Sequence, residues 1–172
     1  MNIQDPRNWE ERHDPKHYRA TRWDQYFLDI ANVVKTKSKD IHTQIGVVIV
    51  NEDHTIISTG YNSFPRGIND NVPERQERPE KYFWFEHAER NAIYNAARTG
   101  VSTLGCTMYM TCGESCTDCA RAIINAGITT VVLGGGDSAK GGHSTEGYSR
   151  SVQMFKEAEV SVIFVADDRK TN

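Results

Sequence analysis

Nowhere in its 172 residues does this chain carry an apolar run long enough to cross a bilayer. Met1 to Lys16 is polar and charged, so a signal peptide or membrane anchor is not expected there. An excess of positive charge is missing too: 20 Lys and Arg stand against 23 Asp and Glu, for a net charge of −3. A protein that tracks a nucleic-acid backbone usually needs a basic face, so that class is disfavoured. A small phosphorylated ligand needs only a few local cations or amides and stays open. Cysteine is scarce: Cys106, Cys112, Cys116 and Cys119 crowd into fourteen residues. With no secretion signal, this is not the pattern of a disulfide framework. The expectation is a cytoplasmic protein with no membrane and no nucleic-acid partner.

What is present reads as one domain over 1–172. Pro6, Pro15 and a polar composition make 1–20 an irregular segment. Trp23, Tyr26, Phe27, Ile30, Val33 and Val34 fall at helical spacing up to about Lys37. Ile45 to Val50 is a β-branched run, read as a strand buried on both faces. A turn at Asn51-Glu52-Asp53 and a strand at 55–59 complete a hairpin. Pro65, Pro73 and Pro79 interrupt 61–86, a connection long enough to be read as a functional loop. Helices follow at 87–98, 117–126 and 148–159, and strands at 107–111, 128–133 and 160–165. A glycine-rich loop occupies 134–147, and the tail from Asp167 is charged. Late strands alternating with helices predict parallel pairing with right-handed crossovers. The fold class is therefore α/β: a three-layer α/β/α arrangement with a five-stranded mixed sheet and helices on both faces.

Chemistry concentrates in two motifs, His87-Ala88-Glu89 and Cys116-Thr117-Asp118-Cys119. One imidazole and two thiolates suit zinc, and three protein ligands leave a tetrahedral ion one position short. Water can take that position. Zinc lowers the pKa of such a water to about 7. Glu89, two residues from the ligand His87, is placed to move its proton. Both motifs lie where helices begin, and the field at a helix start lowers thiol pKa values. Either motif alone is common by chance; the two together, each at a helix start, form a specific signal. Cys106 and Cys112 read as buried, reduced, small apolar residues.

These residues resemble the zinc-dependent cytidine and deoxycytidylate deaminase superfamily, whose signature places proline where this chain has Ser115. Lys37-Ser38-Lys39-Asp40, Ile45 to Val50, Gly60-Tyr61-Asn62-Ser63-Phe64-Pro65-Arg66-Gly67, His87 to Arg98 and Cys119 to Ile128 are similar to deoxycytidylate (dCMP) deaminases in particular. The resemblance covers roughly 22–133. It implies a cytidine-deaminase-like fold and hydrolysis of dCMP to dUMP and ammonia, supplying thymidylate synthesis. It also implies a homo-oligomer, usually a hexamer, regulated by dCTP and dTTP bound with Mg²⁺. Carried over residue by residue, the zinc ligands are His87, Cys116 and Cys119, and Glu89 is the proton shuttle. Lys37 and Ser38 match a stretch near the substrate phosphate, and Asn62 one near the sugar. The Ala88 amide would meet the pyrimidine carbonyl, and the Ser115 carbonyl the exocyclic amine. Gly60, Asn62, Arg66, Asn91 and Arg98 match the region of the triphosphate effector site.

Other readings stay open at this point. The same zinc chemistry serves deaminases of tRNA adenosine, of nucleosides or of free bases. A closed structural zinc would recruit a fourth ligand such as Cys112, giving a non-catalytic nucleotide-binding module. Asn62 could cap a turn, and Lys37, Arg66 and Arg98 could be plain surface charges. Tyr82-Phe83-Trp84-Phe85 reads as core or subunit interface. His13, His17, His42, His54 and His143 lack companions at ligand spacing and read as surface histidines.

Overall fold

A computed structural model describes residues 21–134 and 145–165. Its elements run α1 (Arg22–Lys35), β1 (Gly46–Val50), β2 (Ile56–Tyr61), a 3-10 turn (Pro73–Gln76), α2 (Lys81–Trp84), α3 (Ala88–Thr99), β3 (Thr107–Met110), α4 (Thr117–Asn125), β4 (Thr130–Leu133), α5 (Thr145–Glu157) and β5 (Ser161–Phe164). The sheet has five strands in the order β2-β1-β3-β4-β5. β1 pairs antiparallel with both β2 and β3, while β3, β4 and β5 run parallel. The sheet is mixed, as the hairpin and the later crossovers predict.

β1 sits second in the order, and all five of its residues are buried. Side chains alternate across a strand, so β1 feeds two cores. Val47 and Ile49 pack with Ala88 and Ala92 of α3, Ala120 and Ile123 of α4, and Phe155 of α5. Val48 and Val50 pack with Phe27, Leu28 and Ala31 of α1 on the opposite face. Each Val, Leu, Ile or Phe side chain among these, fully buried, contributes about 1.5–3 kcal/mol. The result is three layers, and among the described residues α1 is the helix that packs on the Val48/Val50 face. α1 opens with a capping box: Thr21 Oγ1 accepts from the Asp24 amide at 3.1 Å, and Asp24 Oδ2 accepts from the Thr21 amide at 2.7 Å. Gly100, left-handed at φ 73°, ends α3.

The hairpin turn forms at residues 51–55, with Asn51 Oδ1 accepting from the Thr55 amide. The connection over 61–86 is less irregular than its prolines suggest. It contributes the end of β2, the 3-10 turn and the single turn of α2. Its far end is pinned where Ser63 and Glu86 exchange backbone hydrogen bonds at 3.1 and 2.8 Å. α5 begins at Thr145, so 145–147 is helical and not part of the glycine-rich loop. The readings of 1–20, of the rest of that loop and of the charged tail lie outside the described residues. Among the described residues no helix is long and apolar enough to cross a membrane.

The register places the end of β2, the start of β1 and the end of β3 at one edge, since Gly46 faces Tyr61 and Val47 faces Met110. α3 and α4 therefore begin near the carboxyl ends of β2 and β3, the two strands that flank β1, and open α/β sheets usually bind ligands at such strand ends. Gly60 lets this happen. A Cβ there would stand 2.4 Å from both the Ala88 carbonyl oxygen and the Ala92 nitrogen of α3. These are backbone atoms and cannot swing aside. Gly60→Ala should therefore destabilise the protein by about 1–3 kcal/mol through overpacking. A thermal melt with an unchanged midpoint would contradict this close approach.

Candidate active site

His87 and Cys116 occupy the N-cap positions of α3 and α4, both with extended backbones, and neither side chain caps its own helix. Cys119 follows in the first turn of α4 and is fully buried. His87 Nδ1 lies 3.5 Å from Cys116 Sγ and 3.4 Å from Cys119 Sγ. All three donor atoms lie within 4.8 Å of one another. A tetrahedral zinc with bonds of about 2.0–2.3 Å would separate its ligands by roughly 3.3–3.8 Å, so the donor set fits that ion. Among the described residues Cys112 does not join the group, although it is buried nearby. A fourth ligand from Cys112, one of the alternatives raised above, is absent from this arrangement.

The three groups are electrostatically coupled. Cys116 is lowered to about 3, first by a hydrogen bond with the Cys119 thiol and then by His87, against the opposing effect of burial. Cys119 is raised, because it donates to Cys116 and is itself buried. His87 is raised through its hydrogen bond to Cys116. Without metal the pair thus holds one thiolate and one thiol. Burial pushes the Cys112 thiol well up, and it stays neutral.

Glu89 points into the same space. It is 3% exposed, and burial raises its pKa above the ordinary carboxylate range. The neighbouring His87 opposes that rise most, followed by a hydrogen bond donated by its own backbone N–H. Ala88 is buried beside it in the first turn of α3, where amides have no intrahelical acceptor. Ser115 is buried before Cys116, with its Oγ 3.9 Å from Met110 Sδ.

The other expected residues separate into two groups. Lys37 is exposed just beyond the end of α1. Ser38 and Asn62 are buried and bonded to each other: Ser38 Oγ donates to the Asn62 carbonyl and to Asn62 Oδ1, both at 2.8 Å. Asn62 Nδ2 donates to Asp40 Oδ2 and to the Thr43 carbonyl, while Oδ1 also accepts from the Ile45 amide. Every polar valence of that amide is committed within the protein, so a substrate contact would have to displace one. The remaining residues follow the β2–α3 seam. Asn91 Nδ2 donates to the Tyr61 carbonyl, Arg66 donates to Asn95 Oδ1, and Arg98 is exposed one helical turn further on. Gly60 lies in that seam as the point of closest approach.

Three residues near the site escaped the motif reading. Arg90 is half-buried, bonds Glu86 at 2.6 Å and stands 3.9 Å from Asp118, beside the thiols. Its place three residues after His87, one turn along the same helix face, was a usable signal. Asp40 and Lys81 form a buried ion pair that no spacing announced. The aromatic run divides: Phe85 packs on Phe64 at 4.3 Å and Trp84 lies under Arg75, but Tyr82 and Phe83 are 48% and 78% exposed. The core reading therefore fails for those two. His42 and His54 are exposed, as expected, and His54 also stacks on Trp23 at 4.4 Å. His13, His17 and His143 lie outside the described residues.

Residues 21–135 match the family profile of the cytidine and deoxycytidylate deaminase zinc-binding region. The chain is 39% identical over 116 residues to human deoxycytidylate deaminase, covering 64% of each protein. It is 43% identical over 110 residues to a probable deoxycytidylate deaminase of Caenorhabditis elegans, covering 62% of this chain and 54% of that one. It thus spans just over half to just under two thirds of these relatives. A crystal structure of dCMP deaminase from the cyanophage S-TIM5, in complex with dCMP and dUMP, shares the fold. The TM-score is 0.68 at 18% identity, covering 86% of this chain and all of that one.

Zinc loading should release protons. Cys116 is already ionised at neutral pH, so the proton lost there is the one on Cys119, and His87 gives up a second wherever it is protonated. Affinity should therefore fall on acidification, and the number of protons released should rise as the pH is lowered. Calorimetry in buffers of different ionisation enthalpy reads this number directly. Zinc binding with no proton release would contradict the shared-proton pair, and unchanged zinc content in His87→Ala or Cys119→Ala would contradict the ligand set.

Proposed function

Because this chain belongs to the cytidine and deoxycytidylate deaminase family, we propose that it hydrolyses dCMP to dUMP and ammonia, supplying dUMP for thymidylate synthesis. The names of the human and nematode relatives support the substrate. One observation carries the chemistry: a buried carboxyl, Glu89, shares its space with a His/Cys/Cys donor set suited to zinc.

When bound by His87, Cys116 and Cys119, zinc supplies Lewis acidity that makes water nucleophilic near neutral pH. Glu89 accepts the proton of the attacking water, passes it to the pyrimidine ring nitrogen, and assists departure of the amine as ammonia. One water enters and one ammonia leaves for each dUMP formed. Burial suits Glu89 to this exchange, because a carboxyl raised above its ordinary range is a better base for the water's proton. The Ala88 amide donates to the pyrimidine carbonyl, and the Ser115 carbonyl accepts from the departing amine. Lys37 meets the 5′-phosphate. Ser38 and Asn62 lie beside phosphate and sugar and hold the local backbone through the hydrogen bonds described above. A structural zinc site has no use for a buried acid at Glu89, which is what separates this reading from a non-catalytic module.

The β2–α3 seam, with Gly60, Asn62, Arg66, Asn91 and Arg98, takes dCTP or dTTP with Mg²⁺ and sets the rate. The chain acts as one deaminase domain over 1–172, assembled as a hexamer in the cytoplasm. Its four free thiols suit a reducing compartment.

Glu89→Ala should keep zinc and fold and lose turnover of dCMP by about 100-fold or more, read as loss of cytosine absorbance. Loss of zinc or of folding in that variant would refute the assigned role. Absence of turnover by the zinc-loaded wild type, with or without dCTP, would refute the substrate. Titrating dCTP and dTTP against rate should give opposite responses, activation and inhibition; a flat response to both ends the regulatory reading.

A further inference from the structure

The connection between β2 and α3 is latched to residues 39–42 by contacts that the reaction does not use. Gln76 Nε2 donates to the Lys39 carbonyl at 3.1 Å, Lys39 pairs with Asp70, and His42 stands 3.7 Å from Glu77. These lie toward the surface. The fourth contact is buried: Lys81 Nζ is 2.5 Å from Asp40 Oδ2, with side chains only 11% and 2% exposed. A buried ion pair gives little net stability over apolar residues of similar size, whereas removing one partner leaves a costly lone charge. Stability alone is therefore a poor account of it.

Asp40 directs that charge onward. Its Oδ1 accepts from the amides of His42 and Thr43 at 2.8 and 3.0 Å, and its Oδ2 accepts from Asn62 Nδ2 at 3.0 Å as well as from Lys81. Asn62 Oδ1 in turn accepts from the Ile45 amide and from Ser38 Oγ, and Ser38 Oγ accepts from the Asp40 amide at 3.2 Å. The relay closes on itself, and Asp40, Asn62, Ser38 and Lys81 are all buried. Lys81 also lies six residues before His87, on the segment that the Ser63–Glu86 pairing pins. One stretch of backbone thus carries both a zinc-ligand candidate and the cation of the relay.

We propose that Lys81 is a positioning residue: acting through Asp40 and Asn62, its ammonium holds Ser38 and its neighbour Lys37 in fixed relation to His87, so that the phosphate and the base of one nucleotide are met together. The consequence for catalysis rests on the dCMP reading; the relay itself does not.

The test uses the full-length, zinc-loaded protein and Lys81→Met. Amide exchange at His42, Thr43 and Ile45 should accelerate by about tenfold or more, while the Val48 and Tyr109 amides stay unchanged. Zinc content should hold, and KM for dCMP should rise about fivefold or more with kcat little altered. Lys81→Arg, which restores a cation, should recover both. A merely structural role would lower kcat and zinc content together. Should Lys81→Met not fold, Ser38→Ala removes only the last hydroxyl, and the same rise in KM is expected. Unchanged exchange at the three amides, or unchanged KM in Ser38→Ala, overturns the proposal. A wild type that does not consume dCMP removes the substrate reading, and the exchange rates still decide the relay.

Discussion

Two thiols and an imidazole are held within a few ångströms of one another in a largely buried place, and that proximity is an electrostatic problem. Two adjacent thiolates repel, and burial penalises each of them. The bare protein resolves this by keeping the proton on Cys119 while Cys116 ionises, with His87 biased toward its cationic form. A divalent cation resolves it better, since it compensates both sulfurs at once. The rest of the structure can be understood as what keeps these donors close. α3 and α4 must start side by side, and their starts follow from a sheet edge at which β2 and β3 both end.

The carboxyl of Glu89 is the second consequence of the same placement. A buried acid is unfavourable to ionise, so a group 3% exposed with a raised pKa contributes little to folding at neutral pH. The role proposed for it, carrying a proton, would give it a use. Gly60 then has a physical role, because α3, which carries Ala88 and Glu89, can lie against β2 only where no side chain intervenes. Asp40, Asn62 and Lys81 do for residues 38–45 what the helix starts do for the zinc-ligand candidates. They fix a loop by saturating its polar groups.

The strands, the helices and the zinc-ligand candidates were legible in the sequence because each had a local signature. Ile45 to Val50 carried the continuous apolar run of a doubly buried strand. His87-Ala88-Glu89 and Cys116 to Cys119 stood at helix starts, where local composition is informative. The long connection was less legible. Prolines at 65, 73 and 79 announce interrupted chain but not the 3-10 turn or the helical turn at Lys81. The Lys81–Asp40 pair joins residues 41 positions apart, and nothing near either residue specifies the other. Asn62 was visible as a motif residue, yet the complete commitment of its amide to Ser38, Asp40, Thr43 and Ile45 is a tertiary fact. Tyr82 and Phe83 show the reverse: apolar composition suggested core or subunit interface, and the local turn takes both out of the core of the chain.

The central claim is a zinc centre with two sulfurs, one imidazole and one position left to solvent, beside a carboxyl that does not bind the metal. X-ray absorption at the zinc edge on the loaded protein tests this most directly. The account predicts about two sulfur scatterers and about two nitrogen or oxygen scatterers, with the same spectrum in Glu89→Gln. A third sulfur, or a spectrum altered by that substitution, would contradict it.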